Sequence, residues 1–545
     1  MSDDDQKYSA IQKMATSPRE LIDIFSDISF LPADEYHRKI RSGGSVRASL
    51  RLDRKDASQD KSDPTSDISA EEIQECVDDL VAISQRARDD GEILWGRIQG
   101  TQYERETLDY FEGKLGSFGS LEVRHDEFPV RYPQWRPTSN SLEVLSSAHH
   151  DESNPFTFAD ALTPFPSAET DEHGNVAEVI YVGNGSASEL NGKNLSGKVV
   201  LLRSASMGGP LIHTARTAFS RIATGDYGAP IGIIVWWDVA GARQVAGRVG
   251  AVGGGDEIGL ALPWITLGND DGFYLRKLID RATVDKPVMV RLTVRGDMES
   301  GEDRMSGNVY GILPGRTKNF ILISAHIDGY FYAAHDNGAT AASVLALARH
   351  YASLPEESRE HGLLFLFVGD HENPGVGGTI NFVEQYKDKL REDLLLVIRP
   401  EKLGLMHREG GATSNVATPM TPLVTNHSPL LIQLMSDSVS KFNLAVSKYV
   451  SNEPAADESA FHPPYADLGA ISIGWQAIGR TYHSTADIES RLLGYPELSM
   501  WTRSLAFVID QLENYTKDDL EKDGTLVPEV STYQSISLKM TFGNF

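Results

Sequence analysis

The chain has 545 residues, 40% of them hydrophobic and 23% charged, a length too great for one ordinary core and a composition that excludes a fibrous or disordered protein. Its formal net charge of −26 argues against nucleic acid as a partner, because a phosphate-binding surface needs clustered Lys and Arg. The single cysteine, Cys76, allows neither an intrachain disulfide nor a thiolate metal site.

The N-terminus, MSDDDQKYSA, is acidic and lacks the basic and apolar blocks of a signal peptide. Apolar runs such as IGIIVWW, Ile231–Trp237, are far too short to cross a bilayer. The expectation is a cytoplasmic protein with no membrane partner. Within residues 1–68, SPRELIDIFSDI has helical periodicity and is succeeded by a long polar stretch that reads as a linker or arm, a candidate for self-association. A scaffold helix begins near Ser69, where Glu72 three residues on completes the pattern of a capping box. From Asn175 to about Asp297 the texture turns to short β-rich runs: AEVIYVG, GKVVLLRS, IGIIVWWD, LPWITLG, PVMVRLTVRG. From Ser306 onward strands alternate with helical stretches, which predicts a mostly parallel sheet with helices on both faces. The expected organisation is an α/β domain from 69–170 and 298–520, a β-rich insert at 171–297 and a tail at 521–545.

In such sheets ligands bind at the carboxyl ends of the strands. His326 and Asp328 come after NFILISA, and Asp336 stands just before an Ala-rich helix. Asp370, His371 and Glu372 come after LLFLFVG, Glu401 after LLLVIRP, and Tyr482 and His483 lie in GRTYHSTADI. Taken singly, each reads as a helix cap or a surface acid. Two imidazoles and three carboxylates gathered at one rim suit a pair of divalent metals bridged by one carboxylate, and zinc accepts such N/O ligands.

The stretch NVYGILPG…NFILISAHIDGYFYAAHDNGATAASVLALA resembles the core of the di-zinc aminopeptidase and glutamate carboxypeptidase family. The family's His-x-Asp strand end matches His326 and Asp328, and its Asp-Asn-Gly bridging segment matches Asp336-Asn337-Gly338. An Asn-Leu-Asp-Met-like strand end matches RPEKLG, with Glu401 where Asp is commoner, and YHSTAD matches a Tyr-His-Thr-x-x-Asp segment. Upstream, GRIQGT resembles the family's Arg-x-x-Gly-Thr helix start, and the insert resembles a protease-associated domain. The resemblance implies two divalent ions, most simply zinc, one on His326 and Glu401, the other on Glu372 and His483, with Asp336 bridging. It further implies that Asp328 orients His326 and that Tyr482 donates to the oxyanion of a tetrahedral intermediate.

In that family the DHE stretch reads Glu-Glu, the first Glu being the general base. Here Glu372 keeps the ligand position and His371 stands in the base position. Three readings stay open. His371 shuttles the proton of an amide or peptide hydrolysis. Alternatively, Asp370 reaches in as base or His371 becomes a ligand, and the metals run non-hydrolytic chemistry such as elimination, isomerisation or cyclisation. In the third, the chain is a silent binding homologue.

Other residues are weaker candidates. Tyr330 and Tyr332 are candidates for a substrate pocket, and His335 for an extra ligand. Asp457 is a candidate for recognising a substrate amine, in a loop that also holds Ser459 and Phe461, and Arg399 for pairing with a substrate carboxylate. Ser459 lacks the strand–elbow–helix context of a nucleophile. A peptide or small-molecule substrate is the expected partner.

Overall fold

The computed structural model describes residues 63–524 except 152, 205–209, 248–260, 373–375, 409–414, 418–419, 427, 447–463, 466–467, 478–480, 489–493 and 523. Most of the N-terminal arm, the loop with Asp457, Ser459 and Phe461, and the tail from 525 lie outside the described residues. No helix among those described is long and apolar enough to cross a membrane.

In chain order the principal helices are α1 (Ala70–Asp89), α2 (Gln102–Ser117), α3 (Pro210–Ala223), α4 (Asn269–Asp280), α5 (Thr340–Ala352), α6 (Gly377–Asp393), α7 (Pro429–Phe442) and α8 (Tyr495–Leu512). The principal strands up to the end of the insert are β1 (Glu122–Pro129), β2 (Gln134–Ser146), β3 (Phe156–Thr157), β4 (Asn175–Tyr181), β5 (Val199–Ser204), β6 (Gly232–Trp237), β7 (Trp264–Leu267) and β8 (Met289–Glu299). Beyond them come β9 (Met305–Leu313), β10 (Phe320–His326), β11 (Gly362–Val368), β12 (Leu394–Ile398), β13 (Thr421–Val424) and β14 (Ser472–Gln476).

The main sheet has the order β13-β14-β12-β10-β11-β9-β1. Its centre, β14-β12-β10-β11, is parallel; β13 and β9 flank it antiparallel, and β1 pairs antiparallel with β9 at the edge. The parallel strands are continuous apolar runs because both faces are covered. Ile321, Ile323, Ala325, Leu363, Phe365 and Phe367 point to the face holding α1, α2, α5 and α8. Their alternates Phe320, Leu322, Leu364, Leu366 and Val368 pack with Phe382, Val383 and Leu390 of α6. Helix α1 buries Ile73, Val77, Leu80 and Ala87 at helical spacing. Ser69 Oγ accepts the Glu72 N–H at 3.1 Å, but the Glu72 carboxylate is turned to Arg349 of α5 at 2.6 Å. The described residues before Ser69 are tied down as well, since Asp63 pairs with Arg503 of α8 at 2.6 Å.

A second seven-stranded sheet, β3-β2-β8-β4-β5-β6-β7, carries the insert. It spans Gln134 to Glu299, so it starts earlier than the 171 read from the sequence. The reason is β2, an amphipathic strand containing Pro137, whose partner β8 lies some 150 residues away in an antiparallel pairing that no local pattern reveals. Nor is the unit purely β: β4-β5-β6-β7 are parallel, with α3 in the crossover from β5 to β6 and α4 between β7 and β8. One face of this sheet, with Val200, Leu202, Ile233 and Val235, joins the same apolar cluster as α1 and β10. The other face closes on Leu275 and Leu278 of α4.

Candidate metal centre

Four parallel strands end at one rim, and the segment beyond each of them is polar. The loop after β10 is held by Arg97, which is fully buried and donates through Nε to the Ile327 carbonyl at 2.9 Å and through Nη2 to that of Ala333 at 3.0 Å. Its Nη1 reaches Leu80 O, Ser84 Oγ and Tyr332 O. Asp487 fixes the next turn, accepting the backbone N–H groups of His335 and Asp336 at 2.8 and 3.1 Å. Asn337 ties that turn to the next rim segment: its Nδ2 donates to Glu401 Oε2 at 3.0 Å and its Oδ1 accepts the Lys402 N–H at 3.2 Å.

The five ligand candidates converge. Asp336 stands in the middle, with Oδ1 3.4 Å from His326 Nε2 and Oδ2 3.3 Å from His483 Nε2. Outside these, His326 Nε2 lies 3.3 Å from Glu401 Oε1, and His483 Nε2 lies 2.8 Å from Glu372 Oε2. Two ligands about 2.05 Å from a tetrahedral ion are about 3.3 Å apart, so the three longer separations are those of a metal's coordination edges. His326, Asp336 and Glu372 also offer ligand atoms within 4.8 Å of one another. Both carboxylate oxygens of Asp336 are buried and neither makes a well-formed hydrogen bond, as expected of atoms that face a cation. The residues present therefore fit a divalent ion.

Charge agrees with the same geometry. Burial pushes the Asp336 carboxyl up, but Lys402, His326 and His483 outweigh it and hold it well below the usual carboxylate range. Burial likewise raises Glu401, yet Lys402 and His326 bring it to about 2. Burial lowers His326, and the carboxylates of Glu401, Asp328 and Asp336 carry it well above an ordinary imidazole.

Asp328 lies against His326 and also shapes the next turn. The His326 Nδ1 is 3.1 Å from the Asp328 main-chain carbonyl and 3.3 Å from its carboxylate Oδ1. The other oxygen, Oδ2, accepts the backbone N–H groups of His371 and Glu372 at 2.9 and 2.8 Å, so Asp328 shapes the turn that carries them. His371 lies face to face with His326, ring centroids 3.9 Å apart, and at 7% is more exposed than any of the five ligand candidates. Asp370, with φ +49, is turned elsewhere: its Oδ2 accepts the Arg131 N–H at 2.9 Å and abuts Gly377. Burial, with Glu104 and Asp328 nearby, raises its pKa well above the ordinary value.

Tyr482 stacks on His483 at 3.6 Å, and Tyr330 meets the same imidazole edge-on at 4.8 Å while its hydroxyl donates to the Glu372 carbonyl. Tyr332 packs on Trp95 and accepts from Arg88, which makes it part of the α1 surface rather than of a pocket. Arg399 is buried beside Tyr465, in the cluster on the α6 face. His335, brought to about 4 by burial, donates from Nε2 to the Lys402 carbonyl at 2.7 Å and so cannot use that nitrogen for a metal. The insert supplies one wall: the Ala246 N–H donates to the His483 carbonyl at 2.8 Å, and the Thr485 N–H to that of Gln244 at 3.0 Å.

Sequence reasoning missed Lys402. It is 1% exposed along its side chain, and its Nζ lies 2.9 Å from Glu401 Oε1, 3.3 Å from Asp336 Oδ1 and 4.8 Å from the Tyr482 ring centroid. The signal was in RPEKLG, where lysine stands in the position of a methionine in the resembling pattern.

Residues 308–506 match the sequence profile described as Peptidase family M28. Among solved structures, the fold is similar to that of BSAP, a zinc aminopeptidase from Bacillus subtilis, with a TM-score of 0.56 and 16% identity over 84% of this chain and 98% of that one. A peptidase M28 precursor from Shewanella amazonensis SB2B gives a TM-score of 0.57 and 18% identity over 84% and 99%. An aminopeptidase from Aneurinibacillus sp. strain AM-1 gives 0.51 and 16% over 85% and 96%. No curated protein matches the sequence. Residues 308–506 of this chain thus match peptidase family M28, and the chain has an α/β fold similar to that of these aminopeptidases.

Proposed function

We propose that the chain is a metal-dependent, aminopeptidase-type hydrolase of a peptide or small amide, with zinc as its metal. The observation that carries this reading is the Asp336 carboxylate, buried between two imidazoles with a further carboxylate outside each. It defines two donor positions, His326–Glu401 on Oδ1 and His483–Glu372 on Oδ2. The family match and the aminopeptidase structures support the same reading.

When bound, a divalent ion supplies Lewis-acid polarisation of the scissile carbonyl and an activated water. His371 is assigned the proton transfer, because it adjoins Glu372, stacks on His326 and, at 7%, is more exposed than the five ligand candidates. Asp328 holds the backbone of His371 and Glu372 together, which fixes the proposed shuttle beside a residue that would hold the ion. Tyr482 and Tyr330 exclude water around His483. The insert, which we read as a protease-associated-type domain, anchors the His483 loop.

The test is hydrolysis of a panel of aminoacyl p-nitroanilides and dipeptides by zinc-loaded protein. The expected result is cleavage that stops on chelation and returns with zinc. Zinc-loaded protein that cleaves no member of the panel would overturn the hydrolase reading.

A further inference from the structure

The Oδ1 side of Asp336 differs from the Oδ2 side in one respect: a lysine is already there. Lys402 Nζ sits on Glu401 Oε1 at 2.9 Å and Asp336 Oδ1 at 3.3 Å, the two oxygens that a metal on His326 would need. We infer that this centre takes a single divalent ion, held by Asp336, Glu372 and His483, and that the Lys402 ammonium stands in the place of the second. The inference rests on the metal-dependent reading above and revises the expectation of two ions.

Geometry holds the lysine in this place. Lys402 has φ +55, its N–H donates to Asn337 Oδ1 and its carbonyl accepts from His335 Nε2, so its backbone is fixed on both sides. The Tyr482 ring lies 4.8 Å from Nζ. With the side chain 1% exposed, there is no adjoining solvent into which the ammonium swings without rearranging these contacts. A buried ammonium needs anionic partners, and Glu401 and Asp336 provide them.

The charge balance points the same way. Asp336, Glu372 and Glu401 offset one divalent ion and one ammonium. A second divalent ion would leave two positive charges over, or one if Asp328 is counted, in a site whose members are all buried. On the Glu372 side no lysine competes among the described residues, and His483 Nε2 stands 3.3 Å from Asp336 Oδ2, the length of a coordination edge. The ammonium thus performs the electrostatic part of the missing ion's role, holding Glu401 and Asp336 in place, while lacking an open coordination position for a substrate oxygen.

The experiment is metal stoichiometry. Full-length protein is loaded with excess zinc, desalted and measured by inductively coupled plasma mass spectrometry. The expected values are one zinc per chain for wild type, two for Lys402→Met, and one for Glu401→Gln, which removes a partner of the lysine and not a metal ligand. Two zinc ions in wild type would overturn the inference while leaving the metal-dependent reading intact; none would overturn that reading itself. Folded Lys402→Met that stays at one, or Glu401→Gln that loses its zinc, would also overturn the inference. Should Lys402→Met fail to fold, cobalt(II)-loaded wild type decides alone: isolated high-spin cobalt supports one ion, and a spin-coupled pair in the electron paramagnetic resonance spectrum sinks it.

Discussion

The rings of His371 and His326 lie face to face, their centroids 3.9 Å apart and their planes inclined by 22°. His326 is the imidazole in the candidate donor set, its Nε2 standing within 3.4 Å of both Asp336 and Glu401. Of the two residues His371 is the less buried, at 7% against 0% for His326.

His371→Ala should therefore retain zinc and lose turnover by roughly a hundredfold, the range of a missing general acid–base group. Asp370→Asn should change turnover by no more than a few-fold, because its carboxylate is engaged with the Arg131 amide. Steady-state kinetics on one substrate, with metal content measured on the same samples, separates the two. A hundredfold loss in Asp370→Asn with His371→Ala unimpaired would transfer the shuttle to Asp370.

Asp336→Ala should abolish zinc binding while the fold survives. The carboxylate faces both imidazoles, and its removal takes away the oxygens that lie between His326 and His483. Equilibrium dialysis against zinc at micromolar concentration checks this. Wild-type zinc content in the variant would show that Asp336 is not a ligand.

Arg97→Met should destabilise the protein by at least ~3 kcal/mol, since the buried carbonyls of Ile327 and Ala333 would each lose a charged donor. Urea unfolding of zinc-free protein reads this, so that a metal effect does not intrude. Wild-type stability would mean that the strand pairing of Gly96 and Arg97 with Gly329 and Tyr330 is enough to hold the loop.

Glu104 gives a pH-dependent prediction. It is fully buried and accepts from Ser306 Oγ, the Asp370 N–H and the Gly100 N–H. Burial, with the nearby Asp328 charge, nevertheless raises its pKa from 4.5 to about 7. Between those values the folded state keeps a proton that the unfolded chain has lost, so stability falls as pH rises through that window and levels off above it. The size is on the order of 3 kcal/mol. Glu104→Gln should flatten this part of the profile, at a constant cost from the Gly100 N–H left facing an amide nitrogen. Unfolding midpoints from pH 4.5 to 8 compare the two proteins, and parallel profiles would refute the assignment.

Much of the centre was legible because of what a buried parallel strand requires. Covered on both faces, β10, β11 and β12 must be continuous apolar runs, and the first polar residues after them mark the rim. That placed His326, Glu372 and Glu401 without any structure. The boundary of the insert was not legible, since β2 is defined by its pairing with β8 and not by its own pattern.

The sequence by itself determined which residue types stand at each strand end, and hence a candidate donor set for divalent ions. Which side chains enter it was decided by the tertiary structure. Asp370 and His371 are neighbours, yet a positive φ at Asp370 and the grip of Asp328 on the next two amides send one to Arg131 and the other onto His326. Lys402 looks in sequence like any lysine beyond a strand. Its positive φ, and its hydrogen bonds to Asn337 and His335 more than sixty residues away, direct the ammonium inward onto Asp336 and Glu401, where burial makes its charge count.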